Sequence, residues 1–345
     1  MIRTLQSLRI LFIGMIFLSH FSYGNIPAFN FGGYCGVAFF FILSGFGISC
    51  GYGERLLSHQ VTFRTFFFKR IIKLYPLHLL CLLAYLILCF VRLKDYDLLP
   101  FLPNALLLQS WIPLSKYHFS ANGVSWFLSD IVFCYLLFPF LYRVISRSSW
   151  KKLTYSCVAI IMAYALFICL IPSDKADSFV YVFPLARAID FSLGIVTFKM
   201  YQKLRTIKLS GNATLIQLLP FVLLILNWFL YEQVDIRIRL VSLYWLNGIL
   251  FVLIFALYDQ QGGPIIRFWH SKILQELGKI SFILFLIHPL MIYVTMRSTV
   301  HLGISMNYAT ALAASFILTV IVAWLIERYL QEPVTHWLQT KILGS

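Results

Sequence analysis

Ten apolar stretches, each near the length that crosses a bilayer, follow one another along the sequence. A transmembrane helix needs about 20 mostly apolar residues, and lipid offers no hydrogen-bond partner to an open backbone. The pattern therefore predicts an all-α fold, a polytopic transmembrane helix bundle of about ten spans. The predicted spans are 5–23, 33–51, 71–91, 124–143, 153–172, 180–199, 214–231, 239–258, 280–297 and 306–327.

The composition agrees with a chain that lipid solvates. Apolar residues make up 60% of the 345 residues and charged residues 12%, whereas soluble domains carry about 45–50% and about 25%. Arg9 lies inside the first stretch and no small-residue cleavage site follows it, so we interpret this stretch as a retained helix rather than a signal peptide. We expect one integral-membrane domain over residues 1–345.

The basic residues alternate in number from loop to loop. With the N-terminus in the cytoplasm, every inside loop holds more Lys and Arg than either outside loop beside it, as the positive-inside rule requires. Both ends are then cytoplasmic, in a multi-pass protein of the cell (inner) membrane. The net charge of +15 thus reflects orientation in the lipid bilayer, and no nucleic-acid partner is expected. The inside clusters span 3–9, 55–73, 143–152, 199–208, 267–279 and 328–341, and the outside residues are Arg92, Lys94, Lys116, Lys175, Arg237, Arg239 and Arg297.

The cysteines predict neither a disulfide framework nor a metal site. All seven lie in or beside apolar stretches and none forms a C-x-x-C pair. We interpret them as small residues that face lipid or the core. They are Cys35, Cys50, Cys81, Cys89, Cys134, Cys157 and Cys169.

Arg9 and His20 are polar residues inside the first predicted span. They are 11 positions apart, which is three turns plus about 20°, so they share one helix face about 16 Å apart along the axis. Ionisable groups at membrane depth are functional candidates by default. The alternative is that Arg9 extends to lipid phosphate and His20 is an interfacial residue.

Two further pairs of charged residues have helical spacing. Arg187 and Asp190 can pair across one turn, and a structural ion pair is the favoured interpretation. Arg70 and Lys73 share one face at a cytoplasmic helix start, where they suit a phosphorylated ligand. Ordinary positive-inside charge explains them equally well.

Two proline- and glycine-containing segments carry polar side chains. Gly33, Gly36, Gly45 and Gly47 favour close helix packing, with a hydroxyl from Ser44 beside them. Pro289 is expected to break its helix and free backbone carbonyls. His288 then either faces a cavity or bonds a freed carbonyl.

The longest piece between predicted spans is 92–123, on the outside. Its prolines and Trp111 are typical of an ordered or re-entrant segment that covers a site. A simple interfacial connector anchored by Trp111 is an equal alternative.

Taken in order, these motifs resemble the acyltransferase 3 family of membrane acyltransferases. The resemblance covers nearly the whole chain. It rests on Arg9-x10-His20, Gly33-x-x-Gly36-Val37-x-x-Phe40 with Leu43–Phe46, Arg70-x-x-Lys73-x-x-Pro76, Ser125–Leu128 with Tyr135–Pro139, Arg187–Gly194, Ser281–Pro289 and Glu332-Pro333. Three positions depart from the family pattern, since Ala38 and Ile131 stand where many members carry an acid and Lys73 replaces an arginine.

The resemblance implies O-acylation, usually O-acetylation, of a carbohydrate in envelope biogenesis. The resemblance implies that the donor is acetyl-CoA and that the acceptor is a sugar hydroxyl on a lipid-linked or surface polysaccharide. A hydroxyl is a poor nucleophile that needs a base, and histidine titrates near neutral pH. We therefore expect His20 to be the catalytic base, assisted by Arg9. The further candidates for substrate or donor binding are Arg70, Lys73, Tyr75, Ser44, Arg187, Asp130 and His288.

A transporter or exporter of a glycan or small molecule is the alternative function. Intramembrane charges and interrupted helices are typical of transporters as well. The sequence shows no repeated halves, which favours the enzyme.

Overall fold

The computed structural model describes residues 2–92, 97–207, 212–231, 233, 243–261 and 263–344. A long helix occupies each of the ten predicted stretches. In chain order they are α1 (Arg3–His20), α2 (Asn30–Leu57), α3 (Phe63–Arg92), α4 (Trp126–Arg147), α5 (Trp150–Leu170), α6 (Pro184–Leu204), α7 (Ala213–Tyr231), α8 (Leu243–Tyr258), α9 (Ser281–His301) and α10 (Tyr308–Ile326). Residues 239–242 of one predicted span, and Lys94, Lys208, Arg237 and Arg239 of the charge pattern, lie outside the described residues.

The helical membrane fold is confirmed, but the count of ten spans is not. Among the described residues, seven helices are long and apolar enough to cross a membrane. An eighth is counted if Ser173–Tyr181 and α6, which meet at a bend of 49°, form one span. The polar residues of α1 and the 16-residue length of α8 separate these two helices from the others.

The chain divides into two compact units, each built from several chain segments. The first comprises Met1–Leu5, Val37–Phe66 and Asp130–Trp269, and the second comprises Gln6–Gly36, Phe67–Ser129 and His270–Ser345.

Glycines set the packing of α2 against α6 in the first unit. A Cβ on Gly45 would lie 2.1 Å from the carbonyl oxygen of Phe191, and a Cβ on Gly194 would lie 2.1 Å from that of Ile42. The two backbones therefore touch, as small residues permit. The packing role predicted for Gly45 is confirmed, whereas a Cβ on Gly47 would meet nothing within 4 Å.

The same role holds for Gly36 in the second unit. A Cβ there would lie 2.6 Å from a side-chain carbon of Ile16 on α1. Gly32 is equally close to the backbone of Met15, at 2.4 Å. Gly32, next to the predicted Gly33, is thus a second position of close approach in this stretch.

A lysine closes the C-terminal end of α4 in the first unit. The Lys199 ammonium donates to the carbonyls of Ile145 and Ser146 at 3.0 and 3.2 Å, and also to that of Ser148. The last carbonyls of a helix have no partner within the helix and carry its negative dipole end. A cation placed there gives the carbonyls a hydrogen-bond donor and interacts favourably with the helix dipole.

We expect Lys199→Met to lower the free energy of unfolding by about 1–2 kcal/mol, because the carbonyls lose a charged donor. Thermal unfolding in detergent measures this. Lys203→Met is the matched control, since the Lys203 ammonium lies over the same Trp150 ring as that of Lys199. Equal melting temperatures for the two variants would contradict the capping role.

Residues 97–125, which contain residues 97–123 of the predicted outer segment, are ordered in the second unit. Two short α-helices, Phe101–Ala105 and Ser115–His118, alternate with 3₁₀ turns at Gln109–Trp111 and Gly123–Ser125. An exposed ion pair joins Lys116 to Asp97 at 3.0 Å. The Leu99 amide and the Lys116 ammonium, by hydrogen bonding to the Asp97 carboxylate, lower its pKa.

Two side chains from the middle of α3 form hydrogen bonds to the backbone of this segment. The Tyr75 hydroxyl donates to the carbonyl of Ala105 at 2.6 Å, and His78 Nε2 bonds that of Asn104 at 2.9 Å. Both residues lie 14 or more positions before the end of α3, about 20 Å along its axis. The segment therefore folds back along α3, which favours the re-entrant interpretation over a simple connector.

Candidate functional site

His20 is the last residue of α1, and one of its ring nitrogens forms a hydrogen bond within the helix. Because α1 is one continuous helix from Arg3 to His20, the prediction that Arg9 and His20 share a face is confirmed. His20 Nδ1 lies 2.9 Å from the carbonyl oxygen of Ile16. A carbonyl only accepts, so Nδ1 carries the hydrogen and Nε2 of the neutral ring keeps its lone pair. The side chain is exposed, and a free lone pair on Nε2 is what a general base requires.

His288 of α9 lies directly against His20. The two ring centroids are 4.9 Å apart, and the planes meet at 71° in an edge-to-face arrangement. His288 is fully buried, with Phe17 and Phe285 also beside its ring. The two histidines, predicted separately, thus form one pair in the second unit.

Pro289 does not break α9, which runs without interruption from Ser281 to His301, so that part of the prediction is wrong. The prediction that Pro289 leaves a backbone carbonyl without its helical donor is confirmed. Proline has no N–H for the carbonyl four residues earlier, and that carbonyl, of Phe285, accepts from His288 Nδ1 at 2.7 Å. The side chain replaces the missing backbone donor, which is how such helices persist in membranes.

The pair lies deep along two helices that start side by side. A Cβ on Gly278, just before α9, would lie 2.0 Å from the carbonyl oxygen of Gln6 in α1. His288 is seven residues into α9, about 10 Å along its axis, and His20 is about 16 Å beyond Arg9. The two helices therefore run in the same direction, from the level of Arg9 to the histidines.

Cations gather around Lys73 at the Arg9 end of the second unit. The charges of Arg70, Glu327 and Arg9 all act on the Lys73 ammonium. The structure therefore brings together the three cations that the sequence predicts for an anionic ligand. Glu327 is a carboxylate that the sequence analysis missed, although it is the final residue of the last predicted span, 306–327.

The re-entrant segment contributes a buried amide beside the histidine pair. Asn122 Nδ2 donates to the carbonyl of Leu286 at 2.7 Å, within the turn of α9 that precedes His288. Asn122 is almost fully buried. Neither Asn122 nor His78, which anchors the segment to α3, was predicted, because their roles depend on long-range contacts. The Tyr75 hydroxyl, predicted to line the site, donates to the Ala105 carbonyl of the same segment.

Arg187 and Asp190 belong to the first unit, where they form a buried ion pair. Their Nη1 and Oδ2 atoms are 2.7 Å apart, so the predicted pairing is confirmed. The indole N–H of Trp245 donates to the second carboxylate oxygen, and Arg187 Nη2 donates to the carbonyl of Val180. Buried charges of this kind need several such partners. This environment favours the structural interpretation.

The first unit also holds Asp130 and Ser44. Asp130 is fully buried in α4, and its charge acts on Arg187. Ser44 is half-buried next to Gly45 at the α2–α6 contact. Ala38 and Ile131, where the resemblance leads one to expect acids, are both buried, so their apolar side chains suit their surroundings.

No cluster of three or more His, Cys, Asp or Glu side chains that could hold a metal ion occurs among the described residues. The candidate site therefore consists of the histidine pair, the cation cluster at Arg9, Arg70 and Lys73, and the segment beside them. All of it lies in the second unit.

Comparison with known proteins identifies the family. The family model described as an acyltransferase domain, Acyl_transf_3, matches residues 2–328. The acyltransferase MdmB of Streptomyces mycarofaciens is 27% identical over 329 residues, which cover 89% of this chain and 81% of the relative. No solved structure gives a significant match. The chain therefore belongs to the acyltransferase 3 family and is a membrane acyltransferase.

Proposed function

We propose that the protein transfers an acyl group, most commonly acetyl, from acyl-CoA to a hydroxyl of a cell-envelope carbohydrate. The observation that carries this proposal is the arrangement along α1, where Arg9, one member of the cation cluster, and His20 share one helix face. The cluster suits the phosphates of an acyl-CoA, and the histidine suits a hydroxyl acceptor. Family membership favours this enzyme over the transporter.

His20 supplies the base in the proposed reaction. Its Nε2 takes the proton of the acceptor hydroxyl as the oxygen attacks the thioester carbonyl. The new C–O bond replaces the C–S bond, and the proton passes to the departing thiolate to give free CoA. Ile16 fixes the tautomer that this step requires. The same geometry serves direct transfer and a two-step relay through an acyl-enzyme.

Arg9, Arg70 and Lys73 bind the phosphates of the donor in this proposal. Charge-assisted hydrogen bonds to phosphate are about twice as strong as neutral ones. The charge pattern of the loops would put this end of α1 on the cytoplasmic side of the inner membrane, where acetyl-CoA is made. The long pantetheine arm then carries the thioester toward His20, and the acceptor, a sugar of a surface or lipid-linked glycan, meets it there.

Mass spectrometry of envelope glycans from cells with and without the protein tests the proposal. We expect the loss of one acetyl group per modified sugar when the gene is deleted, and its return on complementation. Labelled acetyl-CoA added to isolated membranes should transfer its label to the same glycan. Unchanged glycans in both experiments would contradict a carbohydrate acceptor.

We expect Lys73→Gln to raise the KM for acetyl-CoA by about tenfold with little change in kcat, because it removes one charged donor to phosphate. Kinetics with acetyl-CoA measure this, and thermal shifts with CoA and dephospho-CoA report the same contact. Arg64→Gln, an exposed cation in the first turn of the same helix, is the control. Equal KM values for wild type and Lys73→Gln would exclude Lys73 from the donor site.

A further inference from the structure

His288 holds a buried lone pair that the proposed reaction has not yet used. Its Nδ1 donates to the Phe285 carbonyl, so Nε2 of the neutral ring is an acceptor. No described group donates a hydrogen bond to this nitrogen, which is sealed from the surface. Most buried polar atoms are hydrogen-bonded, and one that is not costs about 1–3 kcal/mol. Such an atom needs a functional explanation.

The neighbouring His20 ring explains why the lone pair on His288 Nε2 accepts no hydrogen bond in the resting state. His20 also donates through Nδ1 and keeps a lone pair on Nε2. Two acceptors cannot bond each other. When His20 takes a proton on Nε2, it becomes a donor, and the His288 ring is 4.9 Å away between centroids. The two rings are therefore close enough for one hydrogen bond to form between them.

We propose that His288 Nε2 accepts a hydrogen bond from the imidazolium that His20 forms during acyl transfer. The inference rests on the proposed function and assigns His288 as a positioning residue for it. The acceptor hydroxyl gives its proton to His20 Nε2, its oxygen forms the ester bond, and the C–S bond breaks. The shared proton then leaves His20 for the CoA thiolate, and both imidazoles return to the neutral state.

His288 is better placed than bulk water to stabilise the His20 imidazolium by accepting its hydrogen bond. Phe17 and Phe285 surround the His288 ring, and a hydrogen bond to a charged group is stronger in such a low-dielectric setting. In hydrolases with a catalytic histidine, a carboxylate commonly stabilises the imidazolium. Here the neutral ring of His288 provides an acceptor without a permanent charge.

The competing explanation is structural: His288 only satisfies the Phe285 carbonyl that Pro289 leaves free. Two substitutions separate the roles. His288→Asn places an amide N–H near the Nδ1 position, so it keeps the bond to Phe285 and loses the acceptor at Nε2. His288→Gln places a carbonyl oxygen near the Nε2 position, so it keeps the acceptor and loses the bond to Phe285.

Isolated membranes with labelled acetyl-CoA provide the assay, with two acceptors compared. The first is the endogenous glycan, whose hydroxyl needs a base, and the second is hydroxylamine, which is nucleophilic without one. We expect His288→Asn to lower kcat for the glycan by roughly 10- to 100-fold, with the KM for acetyl-CoA unchanged. The loss with hydroxylamine should be much smaller, and His288→Gln should retain most of the glycan activity.

The reverse order, with Asn close to wild type and Gln inactive or unfolded, would overturn the proposal in favour of the structural role. Equal losses with both acceptors in His288→Asn would also overturn it, because a role in proton transfer predicts a difference. Failure of the proposed function has a separate signature, since wild-type membranes would then form acetyl hydroxamate from acetyl-CoA and hydroxylamine no faster than membranes that lack the protein.

Discussion

Replacing His20 with alanine is expected to lower acyl transfer to the glycan by about 10²- to 10⁴-fold, the usual contribution of general-base catalysis. The reason is geometric: His20 ends the α1 face that begins at Arg9, and its Ile16 bond leaves Nε2 as the basic nitrogen. Transfer of label from acetyl-CoA in membranes measures the loss. Binding of CoA, followed by thermal shift, should stay close to that of wild type.

His336→Ala is the matched control for this substitution. His336 is an exposed histidine after α10, and we expect its replacement to leave transfer unchanged. Activity retained in His20→Ala, with normal amounts of folded protein, would exclude His20 as the base. A loss of CoA binding in the same variant would instead indicate that the substitution disturbs the donor site.

Replacing Gly45 with alanine is expected to destabilise the protein by about 2–3 kcal/mol or more, because a methyl group must displace backbone. Its Cβ would lie 2.1 Å from the Phe191 carbonyl oxygen on α6, a distance that no side-chain rotation relieves. Thermal unfolding in detergent and the yield of folded protein measure the effect. Gly194→Ala, on the other side of this contact, should behave alike.

Gly47→Ala tests whether the effect comes from the contact or from any change in α2. Gly47 is two residues from Gly45, exposed, and meets nothing within 4 Å. Since alanine favours helix over glycine by about 1 kcal/mol, this variant should be as stable as wild type or more so. If Gly45→Ala were equally stable, the close approach of α2 and α6 would be wrong.

Local sequence patterns predicted the helices and the pairs within them. Arg187 and Asp190 are three residues apart on one turn, and their ion pair follows from helix geometry alone. The same holds for the shared face of Arg9 and His20. In each case the prediction required only the rise and rotation per residue of one helix.

Contacts between distant segments could not be predicted in this way. Trp245 donates to Asp190 from another helix, and Asn122 reaches the Leu286 carbonyl across 164 positions. His20 and His288 were both candidates, but their contact depends on how α1 and α9 pack. The continuation of α9 through Pro289 was missed because the side chain of His288 replaces the lost backbone donor.

The anchoring of residues 97–125 has a consequence for how this family can vary. Tyr75 and His78 bind the carbonyl oxygens of Ala105 and Asn104, which are main-chain atoms. Every residue type has that oxygen, so substitutions in the segment leave both anchors in place. The side chains of the segment, including Asn122 beside the histidine pair, can therefore be replaced while the path of the chain is retained.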